Sequence, residues 1–232
     1  MEPHTPESAP QQSVAKDRAS HIPGFDAEAT PLLGLGLGLT GLALGFRPRF
    51  APLPLALTAL AAALYRDPER TTPTAPGTIF APADGSILRI DEIYEHRFLH
   101  TDCVRIAVDT SPLDVPVCRS PAGGVIGYVA HVPGEYRPAS DPEAAERNER
   151  VYVGITTAWG LLMVVQIAGP LGRRISSKVQ VGDSVEPGAR LGTVRFGSRT
   201  DLYIQRDVAR LLIGIGQHTA AGLTRIGELA SL

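Results

Sequence analysis

This chain of 232 residues is almost without lysine: Lys16 and Lys178 are the only two. A pyridoxal-phosphate enzyme anchors its cofactor as a Schiff base on a lysine, and Lys16 lies in a polar stretch, so PLP is not expected. Cysteine is equally scarce. Cys103 and Cys118 lack Cys-x-x-Cys spacing, and they read as reduced, partly buried thiols rather than a disulfide or metal site. No metal is expected. Surplus positive charge is missing too. The formal net charge is −2 and no basic stripe occurs, which argues against a nucleic-acid partner. Gly36-Leu37-Gly38-Leu39-Thr40-Gly41 matches G-x-G-x-x-G in form, but no strand precedes it and no acidic residue follows about 20 residues on, which excludes a dinucleotide site.

What is present is segregated along the chain. Residues 1–30 are rich in Pro, Ser, Ala and mixed charge without apolar periodicity, and read as a disordered tail. Residues 31–46 and 50–65 are uncharged and apolar, with Arg47-Pro48-Arg49 between them. Each run is shorter than the ~20 residues of a bilayer-crossing helix. A shallow membrane hairpin, or two short tilted spans, with the arginines at its tip is therefore expected. Two buried helices in a soluble core are the alternative, but neither run has a polar face. The Gly34…Gly38 and Gly41…Gly45 spacings predict close packing of the helices. Basic residues flank the hairpin as well as marking its tip, so charge orients it only weakly. The cytoplasmic face is the reading, because it puts both flanks inside and keeps the thiols reduced.

From Arg66 onward, short β-type runs alternate with Gly/Pro turns. Strands are expected at 78–80, 86–93, 104–108, 125–131, 151–157, 161–168, 192–196, 201–204 and 211–215, with a short helix at 144–150. Val181-Gly182-Asp183-Ser184-Val185-Glu186-Pro187-Gly188 resembles Ile215-Gly216-Gln217-His218-Thr219-Ala220-Ala221-Gly222. The first of these looks like a hairpin of the lipoyl/biotinyl type, although Lys178 is not at a hairpin tip where a carrier lysine sits. The expected fold class is mostly β (α+β): a flattened β-sandwich or barrel over residues 66–232, with lipoyl-like hairpins, behind an apolar helical hairpin over residues 31–65.

Inside this β region lies Gly197–Ser198. A serine after a glycine is able to attack the glycine carbonyl and shift the amide to an ester. Elimination then cuts the chain and leaves the serine residue as an N-terminal pyruvoyl group. That ketone is a built-in electrophile for an amine substrate. Alone, the dipeptide is a common turn.

Its context is more specific. Arg66-Asp67-Pro68-Glu69-Arg70, Pro82-Ala83-Asp84-Gly85, Ser111-Pro112-Leu113-Asp114-Val115, Arg119-Ser120-Pro121, Pro133-Gly134, Arg147-Asn148-Glu149-Arg150, Gln166-Ile167-Ala168-Gly169, Arg173-Arg174-Ile175 and Arg195-Phe196-Gly197-Ser198-Arg199 occur in this order. Together, over roughly residues 50–232, they resemble the short form of the phosphatidylserine decarboxylase family. The resemblance implies a proenzyme that cleaves itself between Gly197 and Ser198 into chains 1–197 and 198–232. It implies a pyruvoyl cofactor formed from Ser198, and decarboxylation of a serine phospholipid to the ethanolamine lipid at a membrane. It gives Asp84 a part in activating the serine. Arg173, Arg174, Arg195 and Arg199 are candidates to hold the lipid phosphate or substrate carboxylate, since guanidinium binds both by paired hydrogen bonds. The expected partners are a membrane phospholipid, the chain's own two fragments, and further copies in a homo-oligomer.

One departure stands out. The family pattern Asp-Val-His-Val-Asn-Arg reads here Asp114-Val115-Pro116-Val117-Cys118-Arg119. Proline neither accepts nor donates a side-chain proton. Three readings follow. Another group substitutes, such as His131 or Arg119; the chain cleaves but turns over poorly; or the amine substrate differs. His96 and His100 lie in a polar loop and read as solvated. Rival functions are a paralogue that binds lipid or protein without decarboxylation, and an anchored lipoyl-like scaffold.

Overall fold

The computed structural model describes residues 24–26, 28–172 and 174–230. Two helices come first, α1 (Ala29–Phe46) and α2 (Pro52–Leu64), joined by a 3-10 turn at Pro48–Phe50 that places Arg47 and Arg49 at the tip. Helix α1 is long and apolar enough to cross a membrane by length and composition; the second run is shorter. Their leucines face outward: Leu35, Leu37, Leu42, Leu44, Leu53 and Leu57 are all more than half exposed. Thr40 and Thr58 turn inward, their hydroxyls bonded to the Gly36 and Pro54 carbonyls. The close approach falls on Gly36, where a side chain would collide with Thr58. It does not fall on the expected pairs, since Gly34, Gly38, Gly41 and Gly45 have nothing against them.

The β region comprises β1 (Thr78–Phe80), β2 (Gly85–Glu95), β3 (Thr101–Thr110), β4 (Val117–Arg119), β5 (Gly124–Val132), β6 (Arg150–Thr157) and β7 (Gly160–Ala168). It continues through β8 (Ile175–Ser177), β9 (Ser184–Val185), β10 (Arg190–Val194), β11 (Ser198–Gln205), β12 (Ala209–Leu211), β13 (His218–Thr219) and β14 (Arg225–Leu229). A short helix, α3 (Ala144–Arg147), precedes β6. One antiparallel sheet of eight strands runs β13-β2-β3-β11-β7-β6-β5-β9 and curls into a half-barrel. Two three-stranded sheets, β1-β14-β12 and β4-β10-β8, complete the mostly β architecture. The large sheet is apolar on both faces. Ile106, Val153, Val164 and Leu202 pack on one side, and Cys103, Met163, Val165 and Ile167 on the other. Both cysteines are free and buried.

The internal repeat has a structural counterpart. Its equivalent glycines share the left-handed conformation, with φ +98° at Gly182 against +82° at Gly216, and +81° at Gly188 against +72° at Gly222. Strands β9 and β13, which they frame, close opposite edges of the large sheet. The symmetry reaches further than the sequence reading. Ala81-Pro82-Ala83-Asp84-Gly85 answers to Ser120-Pro121-Ala122-Gly123-Gly124, and the two segments bond reciprocally: Phe80 N–H to the Pro121 carbonyl, and Arg119 N–H to the Pro82 carbonyl.

Further expectations need correction, among them the strand read at 211–215, which is found at Ala209–Leu211. The stretch read as a tail through residue 30 lies outside the described residues up to residue 23. From Gly24 it is tied down: Phe25 bridges to Arg66, and the buried Asp26 carboxylate accepts a 2.7 Å hydrogen bond from Arg195. The strand expected at 192–196 stops at Val194, because Phe196 and Gly197 take φ +65° and +85° and break the ladder. The strand expected at 201–204 begins earlier, so Ser198 is the first residue of β11.

Candidate active site

Ser198 enters β11 directly after the Phe196–Gly197 kink and is 5% exposed. A non-glycine residue at positive φ is uncommon, and glycine beside it is the residue that takes such a turn at least cost. The kink turns the Gly197 carbonyl toward residues 169–172. A side-chain carbon at Gly169 would stand 2.4 Å from that oxygen, and one at Gly172 would stand 3.3 Å from it. Gly169 thus makes room for the carbonyl that Ser198 would attack, while Gly172 makes room chiefly for the Arg195 carbonyl, 1.7 Å from where its side chain would begin.

Ser198 lies opposite Thr110 of β3 and Ala168 of β7. With Thr110, Val115, Pro116, Cys118 and Thr200 it lines a small cavity. The Ser198 hydroxyl donates no hydrogen bond among the described residues. The Thr110 hydroxyl donates to the Asp84 carbonyl at 2.7 Å. The Asp84 carboxylate points elsewhere: Arg70 grips both its oxygens, and the Ala221 N–H donates to Oδ1 at 2.7 Å. Asp84 therefore connects to the serine through its own carbonyl and Thr110, not through its carboxylate. Arg70 was not singled out from the sequence; its position within Asp67-Pro68-Glu69-Arg70 was the available signal.

Pro116 stands inside this cavity, and no histidine lines it among the described residues. The Pro116 carbonyl accepts the Val194 N–H at 3.0 Å, which fixes the loop against β10. His131 is exposed and pairs with Glu149 at 3.1 Å. Arg119 is buried but committed to Gly188, Pro68 and Asp67. His218, which the sequence did not flag, lies 4.0 Å from Asp114, beside the loop that carries Pro116. Among the described residues, the cavity's one titratable group is the Cys118 thiol, which burial pushes up to about 12 and keeps protonated.

The three described candidate arginines, Arg174, Arg195 and Arg199, do not converge. Arg199 points to the opposite face of β11 from Ser198, as neighbouring strand residues must. There it forms a buried two-bond pair with Asp201 at 2.6 and 2.9 Å. Burial raises the Asp201 pKa against the pull of that guanidinium. Arg195 is held by Asp26 at 2.7 Å and Glu28 at 3.1 Å, and lies over the Tyr65 ring. Both guanidiniums are already matched by carboxylates, so neither is free for an incoming phosphate. Arg174 is exposed. Arg173 lies outside the described residues.

The residues around Ser198 fit a prosthetic group made from that serine. The site is enclosed, Gly169 leaves room for the Gly197 carbonyl, and an orphaned polar side chain stands on the neighbouring strand. Gln166 is wholly buried opposite Thr200, and neither its amide nitrogen nor its amide oxygen has a partner among the described residues. No group of three or more His, Cys, Asp or Glu side chains suited to a metal occurs among the described residues.

Comparison with known proteins points to one family. The family model described as phosphatidylserine decarboxylase matches residues 57–227. The phosphatidylserine decarboxylase proenzyme of Mycolicibacterium smegmatis is 39% identical over 229 residues, covering 97% of each chain. That of Salinibacter ruber is 44% identical over 182 residues, 76% of this chain and 80% of its own. That of Streptomyces coelicolor is 37% identical over 233 residues, covering 97% and 98%.

Proposed function

The chain belongs to the phosphatidylserine decarboxylase family of carboxy-lyases, and we propose that it is a membrane-associated proenzyme that cuts itself between Gly197 and Ser198 to make a pyruvoyl-dependent decarboxylase. Its substrate is phosphatidylserine or a related serine phospholipid, and its product the corresponding ethanolamine lipid.

The observation that carries this reading is the kinked Phe196–Gly197–Ser198 junction, with its carbonyl seated against Gly169. Backbone held in sparsely populated conformations gathers where chemistry uses it. Ser198 Oγ attacks the Gly197 carbonyl carbon, and the C–N bond breaks to give an ester and a free amine. Loss of the Ser198 α-proton expels the Gly197 carboxylate. Hydration of the resulting enamine releases ammonia and leaves a ketone on residue 198. That ketone supplies an electron sink for the carbon that loses CO2. Thr110 and Thr200 line its surroundings, Asp84 holds Thr110, and Arg70 holds Asp84. Arg174 is the described candidate still open to a lipid phosphate.

The exposed leucines of α1 and α2 support membrane association, because apolar surface of this extent is costly in water. With both flanks of the hairpin on one side, the catalytic region would lie on the cytoplasmic face.

Pro116 in the Ser198 cavity favours a second reading, a paralogue that binds lipid or protein and turns over slowly or not at all. The denatured mass of the purified chain separates the two. Fragments 1–197 and 198–232, the second lighter by one ammonia than a serine-started peptide, are the expected result. One intact mass, with an unchanged ratio of serine to ethanolamine lipid in cells making the protein, would overturn the decarboxylase reading.

A further inference from the structure

Gln166 is a glutamine in an apolar core. It points to the same sheet face as Val164 and stands opposite Val151, both core residues. Its side chain has no exposure, and both ends of its amide are unpartnered among the described residues. Buried polar atoms are nearly always hydrogen-bonded, and an orphan in a native structure calls for a reason. A leucine or methionine would fill this place without that penalty, so packing supplies no reason. The amide lies against bare backbone at Gly192, a position that the Ser176 carbonyl crowds as closely. A side-chain carbon at Gly192 would fall 2.6 Å from Gln166 Oε1 and 2.9 Å from Nε2. Gly192 lies opposite Cys118, and Gln166 lies opposite Thr200; Cys118 and Thr200 both line the Ser198 cavity.

Register places the amide with respect to the serine. Ser198 pairs with Ala168 and Thr200 with Gln166, so Gln166 is the diagonal neighbour of Ser198 on the same face. Diagonal neighbours lie roughly 7–8 Å apart, within reach of a long side chain.

We infer that Gln166 is a positioning residue of the Ser198 site, whose carboxamide lacks a partner in the uncut chain and hydrogen-bonds the oxygen-bearing group that replaces Ser198 once the chain is cut. The inference rests on the self-cleavage reading above. An amide suits the task because its nitrogen donates and its oxygen accepts without changing charge. Cutting exchanges a peptide N–H at residue 198 for a ketone oxygen, which is the acceptor that the Gln166 nitrogen lacks beforehand. The uncut chain thus carries an orphaned donor, the Gln166 amide nitrogen, that the cut chain pairs.

The test uses Gln166→Met, which keeps length and removes hydrogen bonding, with Gln166→Leu as the second variant should the first fail to fold. Each is made in the cleavable chain and in an uncleavable Ser198→Ala chain. In the uncleavable chain the substitution removes an orphan, and the melting temperature should rise by about 2–4 °C. In the cut protein it removes a made bond, and the melting temperature should fall. Denatured mass should show cleavage at the parent's position, while kcat for a serine phospholipid drops at least about tenfold with KM little changed. A shift of the same sign in both states, or a cut variant with the parent's kcat, would overturn the inference. A parent chain that stays intact would overturn the self-cleavage reading itself, and is recognised by its single mass.

Discussion

Arg70 holds Asp84 by both carboxylate oxygens, Nη1 to Oδ1 at 2.6 Å and Nη2 to Oδ2 at 2.8 Å. The pair is only 11% exposed on either side. It joins the segment after the apolar helices to the turn that supports Thr110, and the Ala221 N–H adds the C-terminal part of the chain. Removing one partner leaves the other charge buried and alone. Arg70→Ala should therefore cost about 3–5 kcal/mol of stability, read by urea unfolding in a Ser198→Ala background where cleavage does not intervene. Arg70→Lys, which cannot grip both oxygens in one plane, should recover part of the loss.

Pro116 lines the Ser198 cavity at the position where the family pattern has a histidine. Its one described hydrogen bond is through the carbonyl, to the Val194 N–H, and any residue retains that. Pro116→His should fold and return a titratable group to the serine. General acid–base catalysis contributes on the order of 10²–10⁴-fold, so cleavage or turnover should rise at least about tenfold, followed as fragment mass over time and as CO2 release. Unchanged rates in both assays would mean that proton transfer here never ran through this position.

Gly169 and Gly214 make a matched pair. A methyl group at 169 would stand 2.4 Å from the Gly197 oxygen, whereas one at 214 meets nothing within 4 Å. Gly169→Ala should push the scissile carbonyl out of place and slow cleavage by about tenfold or more. Gly214→Ala should cleave at the parental rate and change stability by no more than about 0.5 kcal/mol. Time courses of fragment appearance compare the two directly.

Asp26 should show in the acid limb of stability. Burial works to raise its pKa, but the Glu28 N–H and the Arg195 guanidinium together hold it below the ordinary 3.8. A carboxylate with a lowered folded pKa contributes stability that is present above the unfolded value and is lost as pH falls through the folded one. The parent should therefore lose more stability than Asp26→Asn between pH 5 and 2, in denaturant melts at fixed ionic strength. Parallel curves would show that the ion pair contributes nothing to folding.

The parts of this fold written as local patterns were legible in the sequence. Uncharged apolar runs marked α1 and α2, alternation marked the long strands, and the glycine spacing of two turns announced the pair of edges closed by β9 and β13. Short strands such as β4, β8 and β14 carry too few residues to show a period, and only their partners define them. Gly197–Ser198 was visible because its chemistry needs two adjacent residues. Thr110 stood in no motif, and Arg70 and Gln166 stood in motifs without a role, since their places around Ser198 come from segments distant in sequence. The partners of Arg195 and Arg199 were equally hidden: Asp26 and Asp201 meet them only through tertiary contact and strand alternation.

Strand β11 runs through the interior of the eight-stranded sheet, between β3 and β7, while β13 and β14 pair with β2 and β1. A break ahead of Ser198 therefore gives a fragment that is woven into two sheets and has no route out short of dismantling both. It also changes the molecularity of unfolding. The intact chain unfolds and refolds as one molecule, whereas the broken one separates into two that must find each other again, so its melting temperature becomes dependent on concentration. Once denatured and diluted it should not return, and its working lifetime would then be set by the rate of that first opening. Maturation in this architecture would be a commitment: the chain folds once as a single thread, and afterwards keeps a shape it can no longer readily rebuild.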